Sequence, residues 1–224
     1  MENLWKELDQ VPLFYGIKEE SLPVMLNCIG FKVEDYNKDD FIAIEGEKLQ
    51  YIGIIISGTV DMIKEDFWGN KTILIRMKKG SLFGEAFICG SMDTATVSFC
   101  ATEKAKILFL PFKKVLHTCS NSCSFHYQLI ENMVKILADK NQELMRKITV
   151  VTKKSLREKI LAYLSQQAQL QNNRYITLPL GRIELAEYLC ADRSALTREL
   201  SLMKKEGIID YDKNEFCLKE QAIL

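Results

Sequence analysis

The apolar residues of this chain change period along its length, and each change marks a different kind of element. Between Lys32 and Phe112 they fall in short runs, "DDFIAIEGE", "YIGIIISGTVDMIKED", "NKTILIRMKKGSLFGE" and "TATVSFCATEKAKILFLP". These runs are rich in β-branched and aromatic residues, alternate in part, and break at Gly46, Gly58, Gly69 and Gly80. Such runs bounded by glycine read as β-strands, and their regular spacing predicts an antiparallel barrel or sandwich. Ahead of them, Met1 to Leu26 reads as short amphipathic helices, "LWKEL" and then "SLPVMLNCI". Ser21 is the expected N-cap of the second, with Pro23 tolerated in its first turn.

From Ser124 to Val151 the period lengthens. Ile130, Val134, Leu137, Asn141, Leu144, Ile148 and Val151 recur at alternating steps of four and three. Placing Val134, Asn141 and Ile148 at heptad position a puts Ile130, Leu137, Leu144 and Val151 at d. β-Branched residues at a, mostly leucine at d and a single asparagine at a favour a parallel two-stranded pairing, hence a homodimer. The competing reading is a stripe that packs on its own domain. Leu129, Met133 and Ile136 add apolar surface that suits contact with the preceding β region, so the helix has material for both.

Past Val151 the pattern is one of short helices. "TKKSLREKILAYLSQQAQ" places Leu156, Ile160, Leu161 and Leu164 on one face, and "RYITLPL" reads as a strand. "GRIELAEYL" then carries Leu185 and Leu189 at helical spacing, and Cys190–Ala191–Asp192 makes a tight turn. Asp192 is a good N-cap for "RSALTRELSLMKKE", which buries Leu196, Leu200 and Met203 and stops at Gly207. "IIDY" and "FCLK" around "DKNE" complete a hairpin. Helix, turn, helix and hairpin is the layout of a winged helix-turn-helix. Its second helix would turn Arg193, Ser194, Thr197 and Arg198 outward. Arginine there makes bidentate contacts to guanine, and serine or threonine reaches bases or phosphate. Arg182, opening the first helix, is expected beside the DNA backbone. A solvated surface helix with incidental arginines is the alternative, and the adjoining helix, glycine stop and hairpin argue against it.

Composition narrows the class only slightly. At 224 residues the chain holds one large or two modest domains, and its 30 basic and 30 acidic residues cancel. A neutral total conceals a local basic face as readily as it excludes one. No basic-then-apolar leader and no apolar run of ~18 residues is visible, so a cytoplasmic protein with no membrane partner is expected. The seven cysteines read as small buried hydrophobes. No P-loop, no Gly-x-Ser-x-Gly and no His-Glu-x-x-His occurs, and the chain has only two histidines, so no enzyme is expected.

"LPLGRIELAEYLCADRSALTRELSLMKKEGII" resembles the DNA-binding domain of the Crp–Fnr family, the bacterial regulators related to the cyclic-AMP receptor protein. "ISGTV", "KKGSLFGEAF" and "ILFLP" resemble that family's β-roll, and the long helix stands where the family dimerises. The resemblance implies an α+β chain in three parts. Residues 1–123 form a cyclic-nucleotide-binding-like β-roll with N-terminal helices, 124–151 the dimerisation helix, and 152–224 the winged helix-turn-helix. It implies a transcription regulator that binds an inverted repeat in double-stranded DNA and works with RNA polymerase. The implied effector pocket includes Phe83, Gly84, Glu85, Ala86, Thr94 and Ala95.

Departures from the family pattern shape the expectation. Cyclic-AMP-binding members follow a Gly-Glu pair with an Arg-Ser pair that takes the cyclic phosphate. Here Gly84-Glu85 is present, Thr94 and Ala95 stand at the second pair, and no arginine occurs between Arg76 and Arg146. A cyclic phosphate would lack its cation, at a cost of several kcal/mol, so the small effector is expected not to be cyclic AMP. Glu85 then reads equally as a structural residue. "HTCSNSCSFH" offers His117, Cys119, Cys123 and His126 for zinc, a thiol switch or a haem ligand, or else as plain helix-start residues. A redox- or metal-responsive regulator through Cys119 and Cys123, or a constitutive regulator with an unused pocket, are the alternatives. In the recognition helix Ser194 stands where the best-known members have a glutamate that accepts from cytosine. Arg193 and Arg198 match arginine positions, which implies at least one guanine per half-site.

Overall fold

Glycine-punctuated alternation builds the first part of the chain into strands. The computed structural model describes residues 2–8, 10–68, 71–90, 94–111, 114–115 and 124–219. Helices α1 (Glu2–Leu8) and α2 (Leu22–Ile29) precede strands β1 (Lys32–Tyr36), β2 (Phe41–Ala43), β3 (Tyr51–Ser57), β4 (Val60–Glu65) and β5 (Lys71–Met77). Strand β6 (Leu82–Phe83), the one-turn helix α3 (Glu85–Ile88), β7 (Ser98–Ala101) and β8 (Ala105–Pro111) follow. The strands form two four-stranded antiparallel sheets, ordered β1-β8-β3-β6 and β2-β7-β4-β5, as the strand spacing predicts.

Side-chain alternation explains why β3 reads as an almost unbroken apolar run. Ile52, Ile54 and Ile56 face a core shared with the N-terminal helices, while Ile55 faces a second core between the sheets. Strand β8 does the same, with Leu108 and Leu110 on one side and Ile107 and Phe109 on the other. A strand buried on both faces loses the polar half of its period. Gly53 is the exception that packing requires: a Cβ there would lie 2.1 Å from Cζ of Phe83. Across the second sheet, the buried Asp61 carboxylate takes two hydrogen bonds from its register partner Arg76, both 2.8 Å long.

One N-terminal expectation needs correcting. Ser21 does not cap α2 with its side chain; it ends a 3-10 turn, Glu19–Ser21, with helical backbone angles. The turn runs directly into the helix, so no cap is required. Pro23 sits in the first turn of α2 as expected.

The heptad region is a single helix, α4 (Ser124–Val151), and the chain's two compact units, Met1–Leu137 and Ala138–Leu224, divide within it. Leu129 and Met133 are buried in the N-terminal core, and Ile136 and Leu137 pack against its edge. Between them Asn132 is buried, with its amide donating to the carbonyls of Leu13 (2.9 Å) and Tyr15 (2.7 Å) and accepting from Gln128 (3.1 Å). The sequence pattern points to Asn141 and misses Asn132, since a lone polar residue inside an apolar face carries no periodic signal.

The second unit continues with α5 (Leu156–Gln171), β9 (Tyr175–Thr177), α6 (Arg182–Tyr188), α7 (Arg193–Lys205), β10 (Ile209–Asp212) and β11 (Glu215–Leu218). Ser155 and Glu158 close a reciprocal capping box at the start of α5, a pairing spelled by "SLRE". Its core joins Ile160 and Leu164 of α5 to Leu185, Leu189, Leu196, Leu200, Met203 and Phe216. The hairpin forms as read, and β9 adds to it as a third strand in the order β10-β11-β9. No described helix is long and apolar enough to cross a membrane.

Replacing Asn132 with leucine should take the amide donor from the buried Leu13 carbonyl and the part-buried Tyr15 carbonyl and cost about 1–3 kcal/mol of stability. Both tryptophans, Trp5 and Trp68, lie in the first unit, so urea unfolding followed by tryptophan fluorescence reads that loss directly.

Candidate nucleic-acid interface

Helix α7 is defined at both ends by hydrogen bonds to its own chain. Oδ1 of Asp192 accepts from the backbone N–H groups of Ser194 (2.8 Å) and Ala195 (3.0 Å) and from the Ser194 hydroxyl at 2.6 Å. The Ser194 hydroxyl and those two amides hold the Asp192 carboxyl below its ordinary pKa. At the other end Gly207 takes a φ of +73°, its N–H bonds to Lys204, and Ile208 N–H bonds to Met203. That pair of bonds closes a Schellman motif, which needs a left-handed residue where the glycine stands. The turn between α6 and α7 also needs one, and there Cys190 holds a φ of +51°.

Burial of Leu196, Leu200 and Met203 sets the rotation of α7 about its axis, and Arg193, Ser194, Thr197 and Arg198 lie exposed together, as predicted. The Thr197 hydroxyl donates to the Arg193 carbonyl (2.9 Å), and Nε of Arg198 donates to the Ser194 carbonyl (3.4 Å). Arg157 of α5 anchors the back of the helix. Its guanidinium donates to Glu199 at 2.6 Å and, by two bonds of 2.6 and 3.0 Å, to Glu206. The sequence reading overlooked Arg157, because its partners lie more than 40 residues away.

Arg182, which opens α6, is half-buried where the four residues of α7 are exposed. Its guanidinium stacks over Tyr211 (4.7 Å) and Phe216 (5.0 Å) and donates to the Lys213 carbonyl at 3.0 Å. Burial lowers its pKa from the ordinary arginine value. The side chain fastens the hairpin to α6. Cation–π stacking across a hairpin leaves no trace in sequence spacing.

Charge separates between the units although the whole chain is neutral. The first unit has 15 basic and 18 acidic residues and the second 15 basic and 12 acidic. The excess of positive charge lies with the helix-turn-helix, on the side of the chain where a polyanion would need it.

In the β-roll the expected pocket residues differ in burial and in what holds them. Phe83 is a core residue, 4.9 Å from the ring of Phe99 and 6.5 Å from that of Phe109. Ala95 is buried, exchanging backbone hydrogen bonds with Gly46 and Glu47, while Ala86 is exposed. Gly84 begins α3 with a left-handed backbone, Glu85 is buried, and Thr94 is half-buried in a bridge to Lys48. Arg76, the last arginine before Arg146, is committed to Asp61. His117, Cys119 and Cys123 lie outside the described residues; His126 is buried. Among the described residues no three His, Cys, Asp or Glu side chains gather as a metal site.

Along α4 the heptad seam is largely open. Val134, Leu144 and Ile148 are 60, 54 and 56 % exposed, Asn141 is exposed, and Ile130 and Leu137 are half-buried.

Two family models match this chain: a cyclic nucleotide-binding domain over residues 33–122 and a Crp-like helix-turn-helix domain over residues 158–223. No curated protein matches it. Among solved structures, CprK in complex with OCPA is similar, with a TM-score of 0.67 at 18% identity over 89% of each chain. The c-di-GMP-responsive global regulator CLP of Xanthomonas campestris matches with a TM-score of 0.59 at 15% identity, covering 90% of this chain and 99% of that one. FixK2 of Bradyrhizobium japonicum has a TM-score of 0.51 at 16% identity, over 85% and 93%. At such identities the likeness is one of fold.

Replacing Cys190 with glycine should relieve the left-handed strain and raise the stability of the second unit by about 1 kcal/mol. Thermal unfolding followed by circular dichroism checks this, and an unchanged or lower melting temperature would contradict it.

Proposed function

Because this chain belongs to the Crp–Fnr family of DNA-binding transcription regulators, which are not enzymes, we propose that it works as a homodimer on an inverted repeat in duplex DNA, in the bacterial cytoplasm and together with RNA polymerase. The observation that carries this is the exposed face of α7. Arg193 and Arg198 stand on a helix fixed by its cap, its core stripe and the Arg157 fork, so their guanidinium groups reach outward from a rigid support. That is what bidentate reading of guanine in the major groove requires. Arg182 is given a different role from the other four: it holds the wing.

The dimer reading rests on the α4 seam. Val134, Leu144 and Ile148 are large apolar side chains left in water at helical spacing, with Asn141 among them. A second copy in parallel register covers all three and gives Asn141 its amide partner. Half-sites read by such a dimer lie about one DNA turn apart, ~34 Å.

The effector is proposed to be a small molecule other than cyclic AMP, since the sequence has no arginine between Arg76 and Arg146 and Arg76 is bonded to Asp61. The related folds accept different chemistry: one neighbour is described as c-di-GMP-responsive and another is complexed with OCPA. A ligand acts here by preferring the DNA-competent dimer, and only to the extent of that preference. The proposed pocket is bordered by Phe83, Gly84, Glu85, Ala86, Thr94 and Ala95. A constitutive protein with no effector is separated by thermal shift across a ligand panel, because native-state ligands raise the melting temperature.

Selection of random duplexes by the purified chain, with and without a metabolite extract, tests the main reading. An enriched inverted repeat is expected, and its absence in both arms would sink the proposal. On the selected site Arg198→Ala should weaken binding by about tenfold or more and relax one base position. Asn141→Ile should tighten self-association and loosen its register, read by sedimentation and by cysteine cross-linking at neighbouring positions. A wild-type monomer at micromolar concentration would remove the dimer.

A further inference from the structure

A serine hydroxyl has one proton to give and two lone pairs to offer. On its own it reads every base edge, so Ser194 in a recognition helix confers little discrimination. In this protein the proton is already placed. The Ser194 Oγ stands 2.6 Å from Oδ1 of Asp192, the same oxygen that accepts the two backbone N–H groups opening the helix. An ionised carboxylate only accepts, so the hydroxyl is the donor. The surrounding donors and the nearby Arg198 charge keep that carboxyl ionised.

We propose that Ser194 reads an amino-bearing base, adenine or cytosine, as a hydrogen-bond acceptor, because Asp192 has taken its only proton. The assignment rests on the DNA-binding reading above. In the major groove the donors are the N6 amino group of adenine and the N4 amino group of cytosine, whereas guanine O6 and thymine O4 accept. To donate to either carbonyl, Ser194 would have to leave a short charge-assisted bond, which belongs to the strongest class of protein hydrogen bonds.

The rest of the exposed face follows the same division. The Thr197 hydroxyl is spent on the Arg193 carbonyl at 2.9 Å, and the Ser201 hydroxyl on the Thr197 carbonyl at 2.9 Å. The outward donors are therefore the guanidinium groups of Arg193 and Arg198, and the hydroxyls present lone pairs. Arginine and hydroxyl are sorted into non-overlapping readers of guanine and of amino-bearing bases. Ser194 and Arg198 are four residues apart, with side chains about 5–6 Å from one another on the helix surface. With base pairs about 3.4 Å apart, the amino-bearing base lies within two pairs of the guanine read by Arg198.

Base analogues on the selected site distinguish the two polarities for the full-length chain. At each position near the Arg198 guanine, purine in place of adenine or 2-pyrimidinone in place of cytosine deletes one amino group. 2-Aminopurine in place of guanine deletes the carbonyl. Wild-type protein should lose roughly five- to tenfold in affinity on one amino deletion, the worth of one hydrogen bond. Ser194→Ala should be indifferent to that same deletion, which separates a protein contact from an effect on the duplex. Asp192→Asn keeps a capping oxygen but not the charge, and should shrink the amino dependence. Coupling of Ser194 to a carbonyl deletion, or to no deletion at all, overturns the proposal. An unchanged amino dependence in Asp192→Asn removes Asp192 as its cause. Failure of wild-type protein to select any repeat overturns the DNA-binding reading itself, and this assignment with it.

Discussion

The rotational setting of α7 decides what this protein offers to its surroundings, and burial of three side chains decides that setting. Leu196, Leu200 and Met203 are completely buried in one core with α5 and α6. Each such burial is worth about 1.5–3 kcal/mol, far more than any exposed ion pair. Turning the helix by one position would put Thr197, Ser201 and Lys204 in place of the three buried side chains. The Asp192 cap, the Schellman close and the Arg157 fork then refine a position that hydrophobic burial has already chosen. Because the stripe fixes the inward face, the outward face is also fixed, and Arg193, Ser194, Thr197 and Arg198 occupy it together.

This is also why so much of the helix-turn-helix was legible in the sequence. A helix of one buried stripe broadcasts its orientation through the spacing of its leucines, and Asp192 and Gly207 mark its ends by residue type alone. The β-roll was legible as strands, but not the packing between them. Phe83 fills the gap above Gly53, some thirty residues earlier. Strand pairing decides that meeting, and nothing in local spacing reports it. The contacts of Arg182 were hidden for a related reason. Its position at a helix start favours phosphate on dipole grounds, and the structure adds the stacked rings of Tyr211 and Phe216 beneath its guanidinium. Ser21 failed as a cap because a 3-10 turn had already supplied the missing hydrogen bonds.

The missing arginine and the committed one bear on the same question. Arg76 could have served a bound phosphate only by abandoning Asp61, a carboxylate buried in the second sheet. Removing one member of such a pair leaves an uncompensated buried charge, which is among the costliest changes a fold can sustain. The β-roll therefore keeps the family's architecture while holding Arg76 within its own sheet.

Helix α4 shows how one element satisfies two demands that the heptad pattern presents as rivals. Asn132 and Val134 are two residues apart, about 200° around the helix, and they meet opposite fates. Asn132 is buried and fully engaged with Leu13, Tyr15 and Gln128, whereas Val134 is left exposed. The face carrying Leu129, Met133 and Ile136 belongs to the chain's own core, so those residues are unavailable to a partner. Val134 cannot reach that core without turning Asn132 away from its carbonyls, so its exposure is a consequence of the helix being anchored.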